Sequence, residues 1–225
     1  MSKQPFVSVV VPAHNEEGRL GMTLDLLKRQ TYPRDKFEII VVDNNSTDRT
    51  AEVARAAGAR VITEPHPGVA WAREAGWKVA TGEIVLSTDA DVQPPENWME
   101  QVVHKFSTHP ELVGLTGGLR FFDKPRWFNW CAVVLNPFLV YLGFFMSRGV
   151  YNFTGNNMAA RKWVYEKVGG FNTQLHFGED MDLARRIKKF GKIKFFPGLV
   201  MWCSGRRYTF DLAFWRYFVN YLWTS

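Results

Sequence analysis

The first hundred residues alternate between short apolar runs and segments with helix-like patterning. Each apolar run is rich in β-branched residues and has too few polar positions for a strand with one face in water. Strands buried on both faces and joined by helical crossovers predict an α/β domain whose parallel sheet is covered on both sides. The predicted strands are residues 7–13, 37–43, 59–63 and 83–89, and the predicted helices are residues 17–30, 47–57, 68–80 and 95–107.

Size and cysteine usage narrow the class of protein. With 225 residues, of which 46% are hydrophobic, the chain can bury a large core and is not a disordered protein. Cys131 and Cys203 lie far apart without CxxC or Cys/His spacing, which predicts neither a disulfide framework nor a zinc site. The first residues show no basic leader followed by a long apolar region, so we expect no signal peptide and a cytoplasmic location.

The chain is basic, with a formal net charge of +6 and a pI near 9.4. This charge would suit an anionic partner, such as a nucleotide, a nucleic acid or a membrane surface. The sequence has no nucleic-acid-binding signature, and its basic segment 185–194 is interpreted as a solvated helix face that runs into a strand. We therefore expect no nucleic-acid partner.

Polar residues follow three of the four predicted strands. His14, Asn15 and Glu16 come after the first strand, the segment 43–45 ends the second, and Asp89 and Asp91 end the fourth. Parallel strands of one sheet all end at the same rim, and ligands of open α/β sheets bind in the crevice at those carboxyl ends. The three polar clusters are therefore predicted to meet in one cleft.

The segment DAD, in which Asp89 and Asp91 flank an alanine, has two interpretations. Mg2+ and Mn2+ take one or two protein carboxylates and complete their coordination with water and substrate phosphates, so the pair suits a metal-diphosphate site. The same acids could instead cap a helix that begins near Pro95. The local sequence leaves both interpretations open.

Five motifs in order resemble the family 2 inverting glycosyltransferases, which have the GT-A fold. The resemblance covers nearly all of residues 5–205 and implies a Rossmann-like, mostly parallel sheet flanked by helices in a single domain. It also implies a nucleotide-binding half over 5–110 and a catalytic and acceptor half over 111–205. The motifs are VSVVVPAHNEE, EIIVVDNNSTDRT, GVAWAREAGWKVATGEIVLSTDAD, TGNNMAARKWVYEKVGGF and FGEDMDLARRIKKFG.

The resemblance implies roles on the donor side of the site. A nucleotide-diphospho-sugar, of the UDP or GDP type, would be the donor, and Asp91 with Asp89 would hold Mn2+ or Mg2+ against its diphosphate. The nucleotide-binding residues implied are Pro12, Ala13, His14, Asn15, Glu16, Asp43, Asn45, Arg73 and Asp89. From residue type alone, Arg73 could equally be a surface helix residue and His14 an ordinary loop residue.

The resemblance also implies the catalytic and acceptor residues. In the GED motif, Asp180 would be the base that deprotonates the acceptor hydroxyl, and Glu179 beside it would raise the pKa of Asp180. Acids at this point also suit a helix start, and both interpretations can hold together. Gly155, Asn156 and Asn157 would border the sugar and acceptor, although a turn before a helix explains them equally well.

Two departures from the family pattern concern the end of the chain. The sequence lacks a QxxRW motif, which argues against a processive polysaccharide synthase. The segment FPGLVMWCSGRRY also lacks the histidine that serves many GT-A enzymes as an extra metal ligand. Arg206 and Arg207 could instead clamp the diphosphate, or could simply be surface charges.

Two apolar segments suggest contact with a membrane. Residues 127–146 are free of charge and long enough to span a bilayer, but Asn136 and Pro137 at their centre disfavour one straight helix. A single span would also separate the GNN and GED segments from the nucleotide cleft. We expect a bent helical pair in an apolar insertion over 126–150, either in the membrane interface or over the acceptor groove. An aromatic C-terminal helix over 206–225 is expected to contact a membrane or to pack on the domain.

These features predict an acceptor that is a carbohydrate or is lipid-linked, in cell-envelope polysaccharide or glycolipid synthesis, with the protein at the inner face of the membrane. Two alternatives remain. The segment IVLSTDADV also resembles the nucleophile motif of haloacid dehalogenase-type phosphatases, with Asp89 as nucleophile and Asp91 as acid and base, but that motif usually lies on the first strand. The other alternative is a noncatalytic nucleotide-sugar binder in which Asp180 does no chemistry.

Overall fold

A computed structural model describes residues 4–146 and 149–206 of the chain. It shows an eight-stranded mixed sheet flanked by helices. The strands are β1 Val7–Ala13, β2 Phe37–Asp43, β3 Arg60–Thr63, β4 Ile84–Ser87, β5 Val92–Gln93, β6 Leu112–Phe121, β7 Met158–Arg161 and β8 Lys192–Cys203. The helices are α1 Leu20–Lys28, α2 Thr50–Ala56, α3 Val69–Val79, α4 Trp98–Thr108, α5 Arg126–Met146, α6 Lys162–Lys167 and α7 Glu179–Ile187.

The sheet is mostly parallel, as predicted. Its strand order is β3-β2-β1-β4-β7-β6-β8-β5, and β1 to β4 run in one direction. Because β7 is antiparallel to both β4 and β6, strand β6 and its parallel neighbour β8 share the direction of β4. Only β7 and the short β5 run the opposite way. The carboxyl ends of β1, β2, β4, β6 and β8 therefore lie at one rim of the sheet.

The core forms two layers, one on each face of the sheet. Along β1, Val9 and Val11 join a cluster with helices α1, α2 and α4, whereas Val10 between them joins a cluster with α3, α6 and α7. Since successive strand residues point to opposite faces, this alternation requires apolar residues at nearly every strand position. Trp98 of α4 and Trp77 of α3 are the largest fully buried side chains of the two layers.

The apolar segment forms one helix, α5, with Pro137 inside it. Our prediction of a helical pair is wrong on this point. Phe128 packs on Phe121 at one end of the helix, and Tyr141 packs on Phe195 nearer the other, so contacts on both sides of Pro137 hold one helix together. Among the residues that the structure describes, no helix combines the length and the apolar character needed to cross a membrane.

The predicted aromatic helix over 206–225 and the predicted role of Arg207 fall on residues 207–225, which lie outside the described residues. Arg206 is described and belongs to the site.

Candidate active site

The predicted site residues lie at one rim of the sheet, next to parallel strands and next to the antiparallel strand β7. Asp43 ends β2 at this rim, and the loops after β1 and β4 carry His14 and Asp89 to it. Strand β7 runs the opposite way, so its amino end lies at the same rim, and the residues just before it, from Gly155 to Asn157, reach the cleft from there. The reversal of β7 thus adds a fourth loop to the cleft.

The loops after β1 and β2 are bound to each other. Asn15 and Asn45 have positive φ values of 54° and 60°, a conformation that asparagine adopts more readily than most residues. The Nδ1 atom of His14 lies 2.8 Å from the carbonyl oxygen of Asn44, and the side-chain oxygen of Asn15 accepts a hydrogen bond from the backbone N–H of Thr47 at 2.8 Å. His14 and Asn45 are exposed, so both are accessible from the cleft.

Some predicted nucleotide-binding residues are part of the sheet itself. Pro12 and Ala13 end β1, where they pair with Val42 and Asp43 and are buried. Their side chains therefore shape the floor of the cleft and do not project into it. The Asp43 carboxylate, 8% exposed, accepts a hydrogen bond from the backbone N–H of Ser46 at 3.3 Å.

Asn44, a member of the polar segment 43–45, ties the loop after β2 to the start of α3 through its side chain. Its amide nitrogen donates hydrogen bonds to the backbone oxygens of Glu64 and His66, at 2.9 and 2.7 Å, and its oxygen accepts one from the backbone N–H of Gly68 at 2.9 Å. The only signal for this residue was its position in the VVDNN motif.

The DAD turn is fixed from below by helix α1. The hydroxyl of Thr23 shares its hydrogen bond between the carbonyl oxygens of Ala90 and Val92, at 2.9 and 2.7 Å, and lies 3.2 Å from the backbone nitrogen of Val92. Asp91 is 8% exposed, whereas the side chain of Asp89 is 35% exposed. A buried threonine thus positions both carboxylates.

The DAD carboxylates fit a hard divalent cation. The nearby thiol of Cys203 is buried, and burial raises its pKa well above its usual range. The negative charges of Asp89 and Asp91 raise the pKa of Cys203 further. The thiol therefore stays protonated, which leaves carboxylate oxygens as donors and suits Mn2+ or Mg2+ better than Zn2+. Within the described part of the chain, no three His, Cys, Asp or Glu side chains are grouped to hold a metal. Mg2+ and Mn2+ sites with one or two protein carboxylates commonly complete their coordination with water and phosphate oxygens.

Arg206 lies between two carboxylates of the rim. Its Nη2 contacts Oε1 of Glu16, and its Nε lies 2.9 Å from Oδ2 of Asp91. Glu16 is 6% exposed and also faces Arg19 at 3.6 Å. The arrangement places a guanidinium beside both the loop after β1 and the predicted metal ligand.

Arg73 joins the two halves of the site. This α3 residue is 5% exposed, and its guanidinium forms an ion pair with Glu179, which is 3% exposed, through Nη1. Its Nη2 lies 3.4 Å from Oδ1 of Asp89. Burial lowers the pKa of Arg73, but the charges of Glu179, Asp89 and Asp180 outweigh this effect and hold it above its usual value. Arg73 is therefore a buried cation, and not a surface helix residue.

Asp180 begins α7 beside this ion pair and is partly buried. Burial and then the charge of Glu179 raise its pKa to about 7, against the opposing charge of Arg73 and the hydrogen bonds from the backbone of Met181 and Gly155. A carboxylate with a pKa near neutrality can both take up and release a proton.

The three residues before β7 have different surroundings. Gly155 lies against the Arg73 guanidinium, where a Cβ atom would overlap it. The carbonyl oxygen of Asn156 accepts a hydrogen bond from the Thr88 hydroxyl at 2.8 Å. Both residues are partly exposed at the cleft.

Asn157 departs from its expected place beside the acceptor. It is 1% exposed, and its side-chain oxygen accepts a hydrogen bond from Nε1 of Trp98 at 3.0 Å. Its nitrogen donates to the carbonyl oxygens of Gly118 and Leu199, at 3.1 and 2.8 Å. These bonds fill the gap where the register of β6 and β8 shifts, so the side chain is structural.

A groove of about 800 Å³ lies between the ends of β6 and β8 and the start of α5. The carboxyl ends of both strands lie at the rim of the cleft, which places the groove on the same side of the sheet. Three basic residues and three tryptophans line much of it: Arg120, Lys124, Arg126, Trp127, Trp130 and Trp202. Trp127 and Trp130 are 62% and 71% exposed.

Comparison with known sequences identifies the family. Residues 8–169 match the model for glycosyl transferase family 2. Glycosyltransferase AglE of Haloferax volcanii is 30% identical over 92% of this chain and 69% of its own length. The probable glycosyltransferase YdaM of Bacillus subtilis is 29% identical over 90% of this chain and 51% of its own length, so this chain spans about half of that relative.

Solved structures show the same fold. A mannosyltransferase from Pyrobaculum calidifontis, in complex with GDP-Man and Mn2+, superposes with a TM-score of 0.71 at 27% identity, over 90% of this chain and 58% of that one. Glucosyl-3-phosphoglycerate synthase from Mycobacterium tuberculosis superposes with a TM-score of 0.69 at 22% identity, over 97% of this chain and 79% of that one, a likeness of fold alone. The chain described here thus has the GT-A fold and belongs to glycosyl transferase family 2.

Proposed function

We propose that this protein is a metal-dependent inverting glycosyltransferase that moves a sugar from a nucleotide-diphosphate donor to an acceptor hydroxyl. The observation that carries the proposal is the Arg73 ion-pair cluster. Arg73 contacts Asp89 on the donor side and Glu179 on the catalytic side, and Asp180 stands beside it with its pKa raised to about 7. One buried cation thus links the donor side to the proposed base.

The donor side would be formed by the loops after β1, β2 and β4. His14 and Asn45 are exposed at the rim, where a nucleotide would reach them, and Asp43 would border the pocket at the end of β2. Asp91 with Asp89 would hold the metal. Bound Mn2+ or Mg2+ supplies positive charge that stabilises the leaving diphosphate. The mannosyltransferase from Pyrobaculum calidifontis, solved with GDP-Man and Mn2+, supports a donor and metal of this kind. Arg206 would add a guanidinium on the diphosphate side.

The catalytic side would use Asp180 as a general base. The Asp180 carboxylate would take the proton of the acceptor hydroxyl while that oxygen attacks the anomeric carbon from the face opposite the diphosphate, which inverts the configuration. Because Glu179 is paired with Arg73, it is held in place and leaves Asp180 as the carboxylate available to the acceptor. The start of α7 fixes the direction of both side chains.

The acceptor would be a lipid-linked molecule. The protein would act at the inner face of the cell membrane, in the synthesis of the cell envelope. The groove next to the cleft has basic residues for a phosphate and exposed tryptophans for an apolar chain or a lipid surface. The undecaprenyl-phosphate 4-deoxy-4-formamido-L-arabinose transferase of Pseudomonas aeruginosa supports this choice, since it is 31% identical over 58% of this chain and 40% of its own length.

The two alternatives have less support. A phosphatase of the haloacid dehalogenase type would place the DAD segment after the first strand, but here it follows β4, and the family match covers that strand. A noncatalytic binder would have no need for a carboxylate at the cleft whose pKa is raised to about 7, as that of Asp180 is.

The test is a product assay. The full chain is incubated with UDP- and GDP-sugars and Mn2+ in the presence of polyprenyl phosphates and simple glycosides, and released UDP or GDP is measured. NMR of the product reports the configuration at the anomeric carbon. We expect release that depends on the acceptor and a product of inverted configuration. A retained configuration, or no turnover with any pair by folded protein, would contradict the proposal.

A further inference from the structure

Arg206 bridges two acidic residues that belong to different loops. Its Nη2 contacts Glu16, which follows β1, and its Nε lies 2.9 Å from Oδ2 of Asp91, which follows β4. Arg206 itself follows β8, the last described strand. One side chain therefore connects the predicted nucleotide loop, the predicted metal ligand and the end of the sheet.

The burial of these groups explains why a cation is needed there. The side chains of Glu16 and Asp91 are 8% and 12% exposed, whereas that of Arg206 is 29% exposed. Two carboxylates at such low exposure are costly without a positive partner. Arg206 neutralises them and is the most exposed of the three side chains.

We propose that Arg206 is an internal counter-ion of the donor site, which competes with the divalent metal for Asp91 and moves to the donor diphosphate when the donor binds. The inference rests on the proposed function. An oxygen of Asp91 that binds Arg206 is not available to a metal, and two cations at one carboxylate repel each other. A diphosphate with its metal offers the guanidinium a new anionic partner of matching geometry.

This exchange makes an unusual prediction for Arg206→Gln. Without the competing guanidinium, the protein should bind Mn2+ alone about tenfold more tightly, since the ion pair between Arg206 and Asp91 no longer has to be broken. With Mn2+ saturating, the same variant should bind UDP or GDP about tenfold more weakly, because the diphosphate loses a charged partner. A residue that only maintained the fold would weaken both.

The experiment measures the two affinities separately on the full chain. Free Mn2+ is followed by electron paramagnetic resonance without nucleotide, and UDP and GDP are then titrated calorimetrically at saturating Mn2+. Arg19→Gln is the matched control, since Arg19 lies 3.6 Å from Oε2 of Glu16 and its side chain is 47% exposed. Arg19→Gln should change the affinities for Mn2+ and for nucleotide by less than about twofold, because exposed ion pairs contribute little.

Arg206→Lys keeps the positive charge but removes the planar guanidinium with its forked N–H donors. It is the second variant to test if Arg206→Gln fails to fold. It should leave Mn2+ affinity close to that of the unmodified protein while weakening diphosphate binding. The inference is overturned if Arg206→Gln does not gain Mn2+ affinity, or if Arg206→Lys binds the diphosphate as tightly as the unmodified protein. Either result is compatible with the proposed function, which fails instead if the unmodified protein binds neither nucleotide with Mn2+ and transfers no sugar.

Discussion

At the scale of single residues, Glu179 and Asp180 are neighbours in the chain with different surroundings. Glu179 is 3% exposed and forms an ion pair with Arg73, which holds its side chain in place. Asp180 is partly exposed, and burial together with the nearby Glu179 raises its pKa. The two neighbours therefore differ: Glu179 is tied to Arg73, and Asp180 has the raised pKa that the proposed general base requires.

We predict that Asp180→Asn lowers the transfer rate by about 100- to 10,000-fold, the contribution of a general base, with donor binding kept. In the unmodified protein, kcat/KM should rise as pH passes through about 7, because Asp180 must lose its proton to act as a base. Steady-state rates and nucleotide titrations from pH 5 to 9 measure both effects.

The matched control is Asp182→Asn on the same helix, since Asp182 forms an ion pair with Arg186 at 2.7 Å. It should retain most of the activity and the rise with pH. An Asp180→Asn variant with an unchanged rate would remove Asp180 from the mechanism.

The same residue affects stability. The pKa of Asp180 is raised in the folded protein, so its ionisation costs folding free energy as pH rises from about 4 through about 7. We predict that Asp180→Asn, which is neutral, is more stable than the unmodified protein above pH 7, by at most about 4 kcal/mol for a shift of about three pKa units. The advantage should vanish near pH 4.

Urea unfolding at pH 4, 6 and 8 measures this difference. Asp182→Asn removes an ion pair and should show no such gain at pH 8. If Asp180→Asn were less stable than the unmodified protein at every pH, the account of Asp180 would be wrong.

Residue roles could be predicted from the sequence where a motif carries them. Asp180, Arg73 and Asp91 occupy family motif positions, and the structure places each at the rim, although their chemical roles stay predictions. Thr23 lies outside the motifs, and the motif position of Asn44 does not reveal its role, because both side chains act on backbone groups that only folding brings to them.

At the scale of elements, the reversed strand β7 brings its amino end to the rim where the parallel strands end. Gly155 lies just before this strand, against the Arg73 guanidinium, and its backbone supports Asp180. A loop from one half of the chain thus fixes an ion pair that joins both halves.

We predict that Gly155→Ala lowers transfer by about a hundredfold, because the added methyl group would displace Arg73 from Glu179 and Asp89. Gly198→Ala is the control, since no atom lies within 4 Å of the Cβ added there. Transfer rates are measured for both variants, and circular dichroism checks that each is folded. Full activity in Gly155→Ala would show that the position of Arg73 is not critical.

Elements with regular patterns were predicted well. Strands β1 and β2 have the predicted bounds, 7–13 and 37–43, because each is apolar on both faces and ends at polar residues. The predicted helix over 17–30 is shorter, at Leu20–Lys28, since the preceding loop binds the loop after β2. For α5 the sequence predicts a break at Pro137. The structure instead has one helix with Pro137 inside it, and side chains on both sides of Pro137 pack on the sheet.

At the scale of the whole molecule, the cleft and the α5 groove open on the same rim of one sheet. Along α5, exposed apolar side chains recur at Trp127, Trp130, Phe138, Tyr141 and Phe145, and the first two line the groove with its basic residues. An apolar helix face next to positive charge suits the surface of an anionic membrane.

We predict that Trp130→Ser weakens binding to phosphatidylglycerol vesicles about tenfold or more, because one large side chain no longer enters the lipid interface. The melting temperature should change little, since Trp130 is 71% exposed. Vesicle sedimentation measures binding. Trp163→Ser on α6, where Trp163 is 48% exposed, is the control and should bind normally. Equal binding by both variants and the unmodified protein would remove α5 from the membrane contact.

The fold of the whole molecule followed from the sequence because motifs in a fixed order specify one family and one strand arrangement. The groove beside the cleft did not, because its lining from Arg120 to Val133 carries no motif, and only folding brings Trp202 of β8 beside it.

A metal-dependent donor site at the rim should make the protein more stable when nucleotide binds, and thermal unfolding with UDP or GDP measures this stabilisation. With Mn2+ present and nucleotide at a hundredfold its Kd, the protein should gain about 2.7 kcal/mol of stability. We predict that one of the two nucleotides gives this gain, and that chelator or Asp91→Asn removes it. A gain that persists in chelator and in Asp91→Asn, or no gain with either nucleotide, would contradict the account.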